Sequence, residues 1–125
     1  MATSRMRRVN EVMREVLGTA INSDLQDPRI GFVTVTAVDT SPDLRHAAVH
    51  VSVLGSEQER EQTLAALGSA HGVLQAAINS ELRLKRTPAL TFHYDESVER
   101  AERITRMLHE NEPDEELGEP GGEQR

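Results

Sequence analysis

Between Val9 and Ala20 the apolar residues fall three and four positions apart: Val9, Val12, Met13, Val16, Leu17 and Ala20. That spacing predicts a helix from Met6 to Ser23 with one buried face, and Ser4 is placed to cap it. Pro28 and Gly31 end the pattern, because the residue before a proline is pushed out of helical geometry. From Phe32 to Val38 the period changes to two and β-branched residues dominate, which predicts a strand. Strict alternation would put Val33, Val35 and Ala37 on one face and Phe32, Thr34, Thr36 and Val38 on the other. "DTSPDL" then has turn chemistry, and alternation resumes with Ala47, Val49, Val51 and Val53. Two strands joined by a short polar turn are expected to pair antiparallel.

Ser56 followed by Glu59 is a capping box, so a helix is expected from there through Leu64 and Leu67. Gly68 and Gly72 interrupt it, each costing about 1 kcal/mol against alanine in a helix interior. Leu74, Ala77, Ile78 and Leu82 restart a helical stripe. The two glycines are therefore read as permitting a kink between two helices. "TPALTFHYD" predicts a third strand with Leu90, Phe92 and Tyr94 on one face. Ser97 can cap a last short helix through Val98, Ala101, Ile104 and Leu108, with Arg100, Arg103 and Arg106 along one side. Beyond it, "NEPDEELGEPGGEQR" has almost no apolar residue and reads as disordered. The expected organisation is one α+β domain over residues 1–108, in the order α-β-β-α-α-β plus a short helix, followed by an acidic tail over 109–125.

Composition changes this picture in two ways. The chain has 125 residues, no cysteine, no tryptophan, two phenylalanines and one tyrosine, so the core must be aliphatic, and disulfides, thiolate metal sites and a cysteine nucleophile are excluded. The net charge of −7 is uneven. From His109 onward seven acids face one base, leaving the first 108 residues with fourteen acids and thirteen bases. An anionic partner must therefore be met by a local patch. No apolar run has the length of a membrane span or a signal peptide, and a reducing cytoplasm is the expected compartment.

Candidate chemistry is sparse. His46 and His50 share a strand face but stand about 13 Å apart along it, too far for one zinc, and His71, His93 and His109 lie on three other elements. No metal or cofactor is expected. Glu57, Glu59 and Glu61 suit the first turn of a helix and its dipole. No phosphate-binding loop, nucleophile elbow or dinucleotide fingerprint occurs. What remains is the joint at Ala70, His71 and Gly72. Small residues there allow close approach of another backbone, and the N–H groups opening the second helix attract phosphate. His71 is read as an exposed side chain that contributes little to folding. With Arg5, Arg7 and Arg8 on the first helix and Arg83, Lys85 and Arg86 after the third, the joint forms a candidate RNA surface. A protein-interaction module that docks through its acidic tail or a basic helix, without direct RNA contact, is the competing reading.

The element order resembles a type II KH domain, an RNA-binding module whose usual clamp is a G-x-x-G loop. Here the equivalent place holds Ala70-His71-Gly72, and an Ala-x-Gly kink there resembles the ribosome-binding factor A family. "RMRRVNEVMREVL", "DPRIGFVTVTAVDTSPDL", "AAVHVSVLG" and "LRLKRTPALTFHYDES" are similar to that family's stretches in the same order, so the resemblance spans Arg5 to Leu108. Ala89 stands where the family usually has glutamate. The resemblance implies a monomeric, non-enzymatic assembly factor. Its partners would be the immature small (30S) ribosomal subunit and its 16S rRNA, and in some bacteria a GTPase that assists release. It would act in late maturation and 5′-end processing, including in the cold.

Overall fold

A computed structural model describes residues 4–110. The chain forms two compact units, one ending at Asp95 and one beginning at Glu96. The first contains α1 (Ser4–Ser23), β1 (Phe32–Thr40), β2 (His46–Leu54), α2 (Glu57–Ser69), α3 (His71–Leu82) and β3 (Ala89–Tyr94). The second contains α4 (Ser97–Glu110). This helix runs two residues past the expected start of the tail, and residues 111–125 lie outside the described residues. So does the N-terminal cap of α1: Ser4 is already helical.

The sheet has the order β1-β2-β3. β1 and β2 pair antiparallel as expected, whereas β2 and β3 pair parallel, from His46↔Ala89 to Val51↔Tyr94. This is the type II KH-like frame that the element order implied. A parallel pair cannot be closed by a hairpin, so α2 and α3 return the chain from the far end of β2 to the start of β3. Their apolar stripes cover one face of the sheet. Leu67, Leu74 and Ile78 are fully buried with Met13 and Leu17 of α1, over Ala47, Val49, Val51 and Val53 of β2. Truncating any of these large side chains would cost about 2–5 kcal/mol.

Strict alternation in β1 fails at one place. The register shifts between Val35 and Ala37, and one extra residue in a strand reverses the faces that follow it. Val38 therefore joins Val33 and Val35 in the core, while Ala37 is only half-buried. At the bulge Thr36 turns its hydroxyl to the carbonyl of His50 at 3.1 Å and to the Asp95 carboxylate at 2.6 Å.

The helix joint falls within Ala70-His71-Gly72 as the sequence implies, but no glycine there takes a special conformation. Neither Gly68 nor Gly72 has a positive φ, and a Cβ added at either would meet nothing within 4 Å. The break falls on Ala70, with φ −93° and ψ 11°, which ends α2 and opens α3. Its N–H donates to the carbonyls of Ala66 at 3.0 Å and Leu67 at 3.1 Å, and its own carbonyl accepts from Leu74 N–H at 3.1 Å. Both helices thus keep hydrogen bonds through the turn. His71 is exposed but engaged: its Nδ1 lies 2.8 Å from the carbonyl of Gly68. Since a carbonyl only accepts, the ring donates there, to an end group of α2. The glycine the fold requires is elsewhere. Gly55 has φ 141°, and a Cβ there would lie 2.7 Å from Oε1 of Glu59. That carboxylate is fixed by the capping box, accepting from Ser56 N–H at 2.7 Å while Glu59 N–H donates to Ser56 Oγ at 3.1 Å.

Two substitutions of glycine by alanine should therefore have opposite signs. Gly72→Ala should stabilise the fold by up to about 1 kcal/mol, and Gly55→Ala should destabilise it by about 1–3 kcal/mol; chemical denaturation of both variants checks this. His71→Ala should cost about 0.5–1 kcal/mol through the lost hydrogen bond to Gly68, and an unchanged denaturation midpoint would show the ring to be idle. The capping box also predicts a pH dependence. The Ser56 backbone N–H, and then its hydroxyl, hold the Glu59 carboxyl below its ordinary value of 4.5. A depressed folded pKa gives stability that is complete above the unfolded value and lost as pH falls through the folded one. Glu59→Gln should therefore flatten the acid limb of stability between about pH 5 and pH 3, read as denaturation midpoints.

Candidate nucleic-acid interface

α1 and β3 both begin at one end of the first unit, beside the β1–β2 turn, and a side-chain bond from α3 reaches the residue before β3. Asn10 Oδ1 accepts from Thr40 N–H at 3.1 Å, and the Thr40 hydroxyl donates to Met13 Sδ at 3.5 Å. Farther along, Gly18 and Asn22 face the opposite end of β1 at Val33 to Val35. α1 thus runs antiparallel to β1, and Arg5, Arg7 and Arg8 occupy its first turns beside the β1–β2 turn, all exposed.

The turn itself is fixed by local bonds. Ser41 N–H donates to the carbonyl of His46 at 2.8 Å, and Leu44 N–H to that of Ser41 at 2.9 Å. The Ser41 hydroxyl donates to Asp43 Oδ1 at 2.7 Å, and Arg45 N–H to the same oxygen at 3.1 Å. These two bonds, in that order, hold the Asp43 carboxyl below its usual range. Leu44 sits at φ 60° to close the turn.

β3 arrives at the same end. Ala89 N–H donates to the carbonyl of Arg45 at 2.9 Å. Just before it, the buried Pro88 offers its carbonyl to Gln75 Nε2 at 2.8 Å. Gln75 lies one turn inside α3, so that bond ties the helix joint to the segment carrying Lys85 and Arg86. Arg83 caps α3 in left-handed geometry, φ 51° and ψ 44°, with its N–H donating to Asn79 O at 3.0 Å. A non-glycine residue in that region is held at a cost. Arg83, Lys85 and Arg86 are all exposed.

Charge pairing separates these cations from most others of the first unit. Arg14 is engaged by Glu11, and Arg29 by Asp27 through Nε and Nη2, the latter at 2.7 Å. The Arg29 guanidinium accordingly holds the Asp27 carboxyl low. Arg60 lies over the Tyr94 ring, 4.5 Å from its centroid. Arg5, Arg7, Arg8, Arg83, Lys85 and Arg86 have no ion-pair partner among the described residues. Sequence reasoning missed a seventh cation at this end. Arg45 is exposed, its contact with Asp43 is long at 3.8 Å, and its carbonyl carries β3. Its position as the one base between the turn residues and β2 was the available signal.

The open face of the sheet gathers other groups. His46 and His50 do not meet, but His50 meets His93 on the neighbouring strand, with ring centroids 5.6 Å apart. His50 Nε2 also lies 3.5 Å from Asp39 Oδ2. No group of three or more such side chains among the described residues could hold a metal ion. In the second unit, Arg100 of α4 pairs with Glu96 at 3.7 Å.

The family model of ribosome-binding factor A matches residues 5–108. Among solved structures, the chain is similar to the crystal structure of ribosome-binding factor A from Thermus thermophilus, with 31% identity over 71% of this chain and 94% of that one and a TM-score of 0.64. A Thermotoga maritima structure, described as a ribosome-binding factor A, matches with 34% identity over 79% of this chain and 94% of that one, at a TM-score of 0.69. A Thermus thermophilus coordinate set fitted into a cryo-EM map of a 30S–RbfA complex matches with 32% identity over 70% of this chain and 91% of that one, at a TM-score of 0.59. A family match across almost all of the described residues, on the fold its structures share, means that this chain belongs to the ribosome-binding factor A family.

Proposed function

We propose that this protein binds the immature small ribosomal subunit through its 16S rRNA and assists late maturation, including processing of the rRNA 5′ end and growth in the cold. It acts as a monomeric, non-enzymatic factor of the cytoplasm, and an assembly GTPase is a candidate for its release. Membership of the family supports the ribosomal role, and a relative has been fitted into a 30S complex. No helix among the described residues is long and apolar enough to cross a membrane.

The observation that carries the RNA reading is the set of six exposed cations, unpaired among the described residues, on the first turns of α1 and the segment between α3 and β3. Guanidinium groups without a carboxylate partner keep their donors for phosphate oxygens. At the joint, Gly72 carries no side chain and has open space above it, which leaves room for a sugar–phosphate backbone. The Ala70–Gly72 turn thus stands where the ordinary KH clamp would be, offering the N–H groups of the first turn of α3. Arg45 is added to the contact set.

Exchanging Arg83, Lys85 and Arg86 for glutamate should weaken binding to immature small subunits and reduce the slope of log affinity against log salt by about two to three units. Equal affinity and slope in a folded variant would remove the loop from the interface. Arg83→Gly separates binding from folding. Glycine relieves the left-handed backbone, so the variant should be more stable by about 1 kcal/mol and yet bind subunits more weakly. A gain in both, measured by denaturation and co-sedimentation, would place Arg83 outside the contact.

A further inference from the structure

α1 and α3 leave an open groove between them. Its floor is apolar, formed by half-buried Val12, Val16 and Ala77. Its rim carries three exposed carboxylates, Glu15, Asp24 and Glu81, and no cation lines it. None of the three acids has an ion-pair partner among the described residues. The floor is a by-product of how the two helices meet. Leu17 and Ile21 of α1 and Leu74 and Ile78 of α3 turn inward to the core, and the small Ala77 beside them cannot fill the outer side of the crossing. From Val12 to Asp24 the groove runs for about 18 Å along α1, the length of three helical turns.

An apolar floor with a rim of one charge sign selects its occupant. Phosphates are repelled by the three carboxylates, so RNA is a poor fit. A second copy placed by two-fold symmetry would set the same carboxylates against each other. We infer that the α1–α3 groove is a docking site for a cationic amphipathic protein segment, one that lays aliphatic side chains on Val12, Val16 and Ala77 and directs lysine or arginine to Glu15, Asp24 and Glu81. This is the helix-in-groove mode of recognition with charges that fix register. The protein would then hold two partners of opposite kind at once, nucleic acid at the turn end and a basic protein segment along α1 and α3. The inference does not depend on the ribosomal reading.

A fluorescein-labelled peptide of leucine and lysine in helical spacing serves as the probe, with binding to the full chain followed by anisotropy. Glu15→Lys, Asp24→Lys and Glu81→Lys together should weaken binding by roughly tenfold or more. Glu115→Lys, Glu116→Lys and Glu119→Lys make the same change in net charge within the acidic segment and should weaken it by less than about threefold. Replacing the peptide's leucines by serine should abolish binding to the wild-type chain. If the lysine variant of the groove does not fold, Glu15→Gln with Asp24→Asn and Glu81→Gln should still give a clear loss. The assignment is overturned if the wild-type chain does not bind the leucine–lysine peptide. Equal losses for the groove and acidic-segment variants, or undiminished binding of the serine peptide, would overturn it as well. So would dimerisation of the chain that the peptide reverses in sedimentation, which would make the groove a self-association surface.

Discussion

The parallel pairing of β2 with β3 constrains everything else in the first unit. β2 ends at Leu54, far from the β1–β2 turn, and β3 must begin at Ala89, beside His46. The chain between them has to travel back along the sheet, and it does so as two helices whose apolar stripes close the core. A break at Ala70 lets α2 lie on the sheet and α3 lean on α1. Because the return trip ends at the start of β3, the basic loop before it must arrive at the end where α1 begins. The convergence of Arg5, Arg7, Arg8, Arg45, Lys85 and Arg86 is thus a consequence of strand direction. Charge attraction could not have assembled it, since these groups repel one another.

That arrangement is held together mainly by neutral hydrogen bonds to backbone. Asn10 to Thr40, Ala89 to Arg45 and Gln75 to Pro88 tie α1, the turn, α3 and β3 into one end. None of them uses a cation. The fold therefore does not consume the charges it displays, and substitutions there can change binding without changing the frame. Arg83 is the exception, because its backbone is held in a region that glycine would occupy more readily. At the far end, Thr63 plays the corresponding structural part. It is 1% exposed, its hydroxyl donates to the Arg29 carbonyl at 3.1 Å, and it accepts from Gly31 N–H at 3.3 Å. One buried hydroxyl thereby anchors the α1–β1 connection to α2.

Much of the frame was legible in the sequence because it rests on local patterns. The period of α1, the alternation of β2, the capping box at Ser56 and Glu59, and the stripe of Leu74 and Ile78 all correspond to the elements found. What was not legible depends on register or on a single backbone choice. The bulge between Val35 and Ala37 exchanges the roles of Ala37 and Val38, and nothing in "FVTVTAVDT" marks it. The His50–His93 neighbourhood follows from parallel register, which alternation does not encode. The joint at Ala70-His71-Gly72 is legible, but the backbone break falls on Ala70 and leaves Gly68 and Gly72, which the spacing marks as permitting it, in ordinary helix with open space around them. Of the candidate site, the residue types were visible and their convergence was not. Arg45 is hidden in the sequence because its neighbours read only as a turn.

The proposed RNA surface is the turn end of the first unit, and not the open sheet face or the α1–α3 groove. Amide chemical-shift perturbation of the full, isotope-labelled chain by a small-subunit rRNA fragment tests it residue by residue. Shifts should concentrate at residues 5–10, 41–46, 70–75 and 83–89 and fade with salt, while Glu15, Thr19 and Asp24 stay silent. Shifts centred on His50, His93 and Thr34, or along Val12 to Asp24, with the turn end unmoved, would place the RNA surface elsewhere.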